Sequence, residues 1–343
     1  MIATRSALGA QCVASGGYRR LRRRVRVDPS HEAKRRTRMT ERDGVRFVTE
    51  AEVRSALRPA PLVEAMARAL ADFSAGRVAQ PVRSATPLGG RDAVMLTKPA
   101  VAGVAAVKVV TLVPENAGRG LPTHQAMILA FDPETGAPLA VIEGTSVTEI
   151  RTAAASAAAA RALLATPPLR VAVIGSGVQA RSHVEMFRAV FAPPEFALWS
   201  PNRENAARAA AAVGAEHAAS PEACLDGADV VIAATSATEP TVRDAWVRPG
   251  ALVVSVGAPL KQWRELDDAL MARTVIADSR EAAAVESGDV VATGAAIAAE
   301  IGEIIGGTAS VDLSETRVFK SGGLAVEDAA AAALALEALG IGR

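Results

Sequence analysis

The run VAVIGSGVQA, residues 171–180, carries the pattern G-x-G-x-x-A directly after a β-rich stretch and at the start of a helical one. In that setting Gly175 permits a tight turn and Gly177 lets the backbone approach a pyrophosphate. Ala180 keeps the helix close to the sheet, and the helix N-terminus attracts the phosphate charge. The chemistry is dinucleotide binding, with Ser176, Val178 and Gln179 completing the loop. The pattern alone is weak, since a glycine turn in any strand–helix unit matches it, and the strand–turn–helix placement gives it weight. The next strand ends in FALWSPNRENA, where an NAD enzyme usually carries an acid for the ribose 2′-hydroxyl. Ser200, Pro201, Asn202 and Arg203 stand there instead. Arg203 offers a fork to a 2′-phosphate, which favours NADP(H) with NAD(H) as the alternative. The plainer reading of Arg203 is a solvated residue opening the next helix.

Three cations could serve an anionic substrate. Lys108 interrupts the apolar run VAAVKVVTLV. Burying an unpaired ammonium is costly, so it either points into a polar site or guards a sheet edge. Arg151 is expected in the first turn of a helix that Ser146 and Glu149 cap as a capping box. The macrodipole disfavours a cation there, and an anionic ligand would remove the conflict. Arg83, in QPVRSATPL, reads unaided as a surface residue. Jointly the three suit a carboxylate and cofactor phosphates. ALVVSVGAPLKQWRELDD, residues 251–268, reads as a strand ending at a bare lip, where Val256 and Gly257 present backbone to the crevice. No G-x-S-x-G elbow, H-E-x-x-H pair or other metal-ligand spacing is present. His31 lies near the start of the chain, and His183 and His217 read as ordinary. His124 reads as structural, with lining of the site as the alternative.

These residues need two kinds of scaffold. Residues 50–76 read as helical, interrupted at Pro59 and Pro61, and residues 80–143 as strands with a hairpin turn at DPETGAP. After residue 145 strands and helices alternate, which predicts an α/β, doubly wound parallel sheet. TRVFKS gives one more strand and AVEDAAAAALALEAL a final helix. The expected layout is a basic leader over 1–39, disordered or an over-extended start, a substrate-binding and dimerisation domain of 40–150 with 310–343, and a Rossmann domain of 151–309. Half of the 343 residues are hydrophobic, enough for two cores, and no apolar run predicts a membrane span. Residues 1–39 carry a net charge of +9 and the remainder −8. An acidic body argues against general nucleic-acid binding. Cys12 and Cys224 lie far apart and fit a reducing cytoplasm.

PTHQAMILAFDPETGAPLAVIEGTSVTEIRTAAASA, VIGSGVQARSH, WRELDDALM and VFKSGGLAVEDAAAA, in that order, resemble the ornithine cyclodeaminase and mu-crystallin family from about residue 47 onward. The resemblance implies a homodimer binding an α-imino or α-amino acid between its two domains, against a nicotinamide. It makes Arg83, Lys108 and Arg151 a carboxylate-binding trio; Thr152, next to Arg151, is expected with Ser200, Asn202 and Arg203 among the residues that bind the cofactor. It puts Gly175, Gly177, Val178, Gln179, Thr235 and Ser236 around the cofactor, and Lys320 and Ser321 in a tail that closes over the site. Counting back from WREL puts Pro259 where cyclodeaminases carry an acid. That departure leans toward the family's NAD(P)H-dependent reductases of cyclic ketimines such as piperideine-2-carboxylate or pyrroline-2-carboxylate. Ornithine cyclodeamination, alanine or opine dehydrogenation and non-catalytic ligand binding are the alternatives. On the reductase reading the trio orients a protonated imine, and Lys108 is the candidate to keep or deliver the proton.

Overall fold

The computed structural model describes residues 44–81, 83–89, 93–258 and 260–342. The expectations for residues 1–39 and for Pro259 fall outside that set. Val45–Arg343 forms one compact unit built on two sheets.

The chain opens with β1 (Arg46–Val48), α1 (Glu50–Ala56) and α2 (Pro59–Ser74). Pro59 starts α2 at its first position, where a missing N–H costs nothing. Then come β2 (Ser84–Pro87), β3 (Val94–Ala102), β4 (Val104–Leu112), β5 (His124–Phe131) and β6 (Pro138–Glu143). They form a six-stranded sheet of order β1-β6-β5-β4-β3-β2, antiparallel throughout except for the parallel pair β1–β6. Alternation along β4 and β5 buries one face and leaves Met127 and Leu129 exposed on the other.

α3 (Gly144–Leu163) follows at once. The expected capping box is corrected here: Glu143 caps the helix by accepting from the backbone N–H of Thr145 and Ser146 at 2.8 and 2.9 Å. Arg151 therefore sits two turns inside the helix, and the macrodipole conflict does not arise. α3 packs between α1, α2, α4, α11 and β5, so its alanine run is buried on every side rather than along one stripe.

The second half holds β7 (Arg170–Ile174), α4 (Val178–Val190), β8 (Glu195–Trp199), α5 (Arg203–Val213), β9 (Glu216–His217), α6 (Pro221–Leu225), β10 (Val230–Ala233) and β11 (Leu252–Ser255). After it come α7 (Asp268–Met271), β12 (Thr274–Ala277), α8 (Arg280–Glu286), α9 (Gly288–Thr293), β13 (Ile297–Glu300), α10 (Ile301–Ile305), β14 (Arg317–Lys320) and α11 (Ala325–Ala338). The eight strands form one parallel sheet, order β13-β12-β14-β11-β10-β7-β8-β9, the doubly wound α/β arrangement expected from the alternation.

The domain boundaries shift. α3 runs across residue 150, and the tail divides, with β14 between β11 and β12 in the parallel sheet and α11 lying on β3 and β4. Arg317 ties these parts together: buried, it donates to the backbone carbonyls of Leu163, Gly250, Leu313 and Glu315, and so satisfies the C-terminal end of α3. His183 joins α4 to α3 through Ser156 and is held by burial at about 4, hence neutral, as a structural residue. Among the described residues no helix is long and apolar enough to cross a membrane.

Candidate active site

The buried face of the six-stranded sheet carries charge. β3 and β4 pair Lys98 directly opposite Lys108, and both side chains are buried beneath the start of α11. Lys108 Nζ lies 2.7 Å from Asp328 Oδ2 and donates to Thr148 Oγ1 at 3.1 Å. Lys98 Nζ donates to the Gly323 carbonyl at 2.8 Å and stands 3.6 Å from the same Asp328 oxygen. Arg151 spreads its guanidinium over both acids of the tail: Nε donates to Asp328 Oδ1 at 2.8 Å and Nη1 to Glu327 Oε2 at 2.7 Å. Gly323 makes room for it, since a Cβ there would fall 2.8 Å from Arg151 Nη1, and its φ of +74° is one that glycine adopts freely.

One carboxylate thus serves three cations. Burial opposes the charge on Asp328, but Arg151, Lys108 and Lys98 hold it ionised, well below the usual carboxylate range. Burial likewise works against Arg151, and Asp328 and Glu327 outweigh it. Lys108 goes the other way. Burial pushes its proton affinity well down, Asp328 resists, and the positive charges of Lys98 and Arg151 add to the push. His124, at the far end of the same face of β5, is held at about 4 by burial first and then by Lys108 and Arg151.

Of the expected trio, Lys108 and Arg151 meet on Asp328. Arg83 instead reaches across the crevice to Glu286 of α8, Nε to Oε1 at 2.8 Å. It borders a narrow cleft with Ala258, Ser287, Ser321 and Gly322. Sequence reasoning passed over Lys98, Glu327 and Asp328. The signal for Lys98 was present, because LTKPA is a cation in a strand just as Lys108 is.

The dinucleotide loop fits its expected ligand. Gly175 has φ +133°, and a Cβ there would stand 2.4 Å from the Ala234 carbonyl. Gly177, capping α4, has open space on its Cβ side, as a pyrophosphate needs. Gln179 Oε1 is buried with no donor facing it, an acceptor that a bound ligand could satisfy. Ser176 and Ser200 share a hydrogen bond of 3.1 Å. Arg203 is exposed at the first position of α5, free of the sheet. Asn202 has a different task from the one expected: its side chain caps α5 by accepting from Asn205 N at 2.9 Å.

A second buried knot fixes the lip. Glu265 accepts from Thr235 N and Oγ1 at 2.6 and 2.9 Å, and from Ser255 Oγ and Gly257 N at 2.7 and 2.8 Å. Gly257 is packed so closely that a Cβ would fall 2.1 Å from the Thr235 carbonyl. Beside it Ala258 holds φ +52°, a strained value for a residue with a side chain. Asp289 accepts from Glu265 N and Leu266 N. Lys320 closes the knot, donating to Ser255 Oγ, Gly257 O and Asp289 Oδ2 at 2.6, 2.9 and 2.8 Å.

The Lys320 ammonium is engaged inside the knot and positions the lip. Thr152 turns its hydroxyl back to the Thr148 carbonyl at 2.6 Å, within α3. WREL precedes α7, which starts at Asp268 with Asp267 as its cap. Val256 and Gly257 do stand at the end of β11, and Ser236 follows Thr235 at the end of β10. Ser321 Oγ donates to Asp278 Oδ2 at 3.3 Å. Among the described residues no cluster of His, Cys, Asp and Glu could hold a metal ion.

Residues 45–340 match the model of the ornithine cyclodeaminase/mu-crystallin family. The chain is 41% identical over 307 residues to the ketimine reductase mu-crystallin of Mus musculus, covering 87% of this chain and 98% of that protein. Among solved structures, the Thermococcus litoralis Δ1-pyrroline-2-carboxylate reductase in complex with NADH and L-proline superposes with a TM-score of 0.79 at 32% identity, over 87% of this chain and 99% of that one. An archaeal alanine dehydrogenase dimer with bound NAD gives a TM-score of 0.80 at 27% identity, over 86% and 95%.

The knot makes a prediction independent of any substrate. Lys320→Met takes from the buried Asp289 carboxylate its closer cation, leaving Arg264 at 3.9 Å, and so costs up to about 3 kcal/mol. Urea denaturation should show that loss, and dinucleotide affinity should fall with it as Gly257 loses its anchor. A variant of wild-type stability would contradict this account of Lys320.

Proposed function

The chain belongs to the ornithine cyclodeaminase/mu-crystallin family, and we propose that it is an NAD(P)H-dependent reductase of cyclic ketimine carboxylates, yielding cyclic amino acids. The observation that carries this reading is the charge of the substrate side. Lys98, Lys108 and Arg151 face only Asp328 and Glu327, so the buried cluster holds an excess of positive charge beside a dinucleotide crevice. A substrate carboxylate supplies the missing negative charge.

On this reading Lys108, Arg151 and Arg83 hold the carboxylate, with Arg83 exchanging Glu286 for it. Gly175 to Gln179, Thr235, Ser236, Val256 and Gly257 hold the dinucleotide, which when bound supplies a hydride. The chain's own contribution is mainly placement: with the carboxylate fixed, C2 of the imine has one orientation toward the crevice. Protonation of the imine polarises that carbon, so besides the hydride the reaction needs that one proton, and Lys108 is the side chain to keep or give it. We read Arg203 as favouring NADP(H); its exposure at the first position of α5, directly after the second strand of the fold, supports that reading.

The outer face of the six-stranded sheet supports self-association. Phe47, Val141, Leu129, Val107 and Pro99 form one row across five paired strands, and Phe47, Leu129 and Met127 are exposed. Apolar area of that kind on a sheet marks an interface, and we assign it to a second copy of this chain.

Three measurements test these readings. With NADPH or NADH, oxidation of the cofactor should follow addition of pyrroline-2-carboxylate or piperideine-2-carboxylate, while ornithine with NAD should give no proline. Proline from ornithine would replace the reductase by a cyclodeaminase, and turnover of pyruvate with ammonia alone would replace it by an alanine dehydrogenase. Arg203→Ala should lower the NADPH over NADH preference by roughly tenfold or more, the worth of a charge-assisted hydrogen bond. An unchanged ratio would remove Arg203 from cofactor selection. Leu129→Lys should convert a dimer to a monomer in sedimentation, and a wild-type monomer would refute the assignment of that face.

A further inference from the structure

Lys98 has no place in the trio that the family resemblance suggests, yet it is buried with them. We propose that Lys98 is a tuning residue for Lys108: pressed against the same carboxylate oxygen from the neighbouring strand, its charge makes the Lys108 ammonium give up its proton more readily. The inference rests on the reading of Lys108 as the residue that handles the substrate's proton.

The geometry supports it in three ways. Lys98 and Lys108 are direct cross-strand partners on a buried face, an arrangement that like charges disfavour. Both ammoniums form ion pairs with a single oxygen, Asp328 Oδ2, at 3.6 and 2.7 Å, while Arg151 takes the other oxygen. Lys98 is moreover pinned by the Gly323 carbonyl at 2.8 Å, so it cannot withdraw from its neighbour without losing that bond. Among the described residues, Lys108 faces Asp328 from α11, Arg151 and Thr148 from α3, Lys98 from β3 and His124 from β5, while Lys98 in turn feels Glu327 and Arg83. Burial, Lys98 and Arg151 move Lys108 downward against the pull of Asp328.

Composition points the same way. The sequence has 38 Lys and Arg, of which only five are Lys: Lys34, Lys98, Lys108, Lys261 and Lys320. Three of those five are buried, and two of the three are this pair. At Lys108 the choice of Lys over Arg bears on the chemistry, whereas Lys98 contributes only its charge. The difference that matters in a buried site is that an ammonium can lose its proton, whereas a guanidinium cannot.

The step this enables is balanced. An N–H bond of Lys108 breaks and an N–H bond forms on the imine nitrogen, leaving the electron pair on Nζ. The imine carbon then takes a hydride with its electron pair from the reduced nicotinamide dinucleotide, which is oxidised. Lys108 regains its proton from water. A neighbouring cation favours the first transfer by destabilising the charged form of the donor.

The test uses the full-length protein labelled with 13C at lysine Cε, in which five lysines give an assignable spectrum, Lys108 being identified by its loss in Lys108→Met. The Lys108 signal should titrate well below that of exposed Lys261. Lys98→Gln should raise the Lys108 midpoint by about one pH unit or more, the size of a close like-charge effect. The alkaline limb of kcat/KM for imine reduction should move upward with it, because the protonated form is the active one. Lys98→Arg, which keeps the charge, should leave both in place. A Lys108 titration unmoved in Lys98→Gln, or a Lys98→Arg protein behaving like Lys98→Gln, would overturn the proposal, including when both variants merely lose stability. An NMR shift seen in a protein that reduces no imine would support the coupling and refute the reductase reading instead.

Discussion

Asp328 is the group on which the arrangement depends. Its two oxygens are shared by Lys108, Lys98 and Arg151 from three different elements, β4, β3 and α3. Three cations on one buried face would repel one another and seek water, and the sheet could not pack against α3 without an acid between them. The acid comes from the far end of the sequence, so α11 is obliged to return across the molecule and lie on β3 and β4. Asp278 secures that return by accepting from Gly323 N at 2.6 Å and from Ser279 N at 2.8 Å, with its carboxyl raised to about 6 by burial and by Glu327.

Residues 317–328 consequently connect the whole site. Arg317 anchors the end of α3, Lys320 fastens the lip at Gly257, Gly323 accepts from Lys98 and clears space for Arg151, and Glu327 and Asp328 neutralise the cations. In this stretch the parallel sheet ends and the substrate cluster begins. Displacement of β14 along its neighbours would be felt at both the crevice lip and the cations on Asp328. A hydride transfer site needs that rigidity, because small misplacements of the reacting atoms are expensive in rate.

What could be read from the sequence was local. The G-x-G-x-x-A turn and the alternation of strands and helices into a parallel sheet follow from short-range pattern, and both are found. Where local pattern fell short, the cause for Lys320 and Lys98 is that the side chain's partners lie far along the chain, whereas at Ser146 the better cap is three residues away. Ser146 looked like a cap because nothing local marks an acid, Glu143, as the better one. The engagement of Lys320 was not legible because its three acceptors come from positions 255, 257 and 289. Lys98 looked like any strand lysine because Asp328 is 230 positions away. WREL is recognisable as a motif, but its purpose emerges only when Glu265 is seen clasping Thr235 and Gly257 together.

The same contacts bear on which reaction the site can run. Cyclodeamination calls for an acid near the substrate to manage amines that form and leave. Among the described residues the carboxylates around this crevice are engaged: Glu265 in the lip, Asp289 on Lys320, Asp278 on the tail turn, Glu327 and Asp328 on the cations, and Glu286 on Arg83. Of these, Glu286 alone is only partly buried and paired across the cleft, so it is the one a substrate carboxylate can displace. Displacement hands Arg83 to the substrate and leaves the acid at the rim, away from the imine carbon's cationic surroundings. Imine reduction asks for nothing more than that: a fixed carboxylate, a delivered hydride and a proton from a lysine whose neighbours make it willing to part with one.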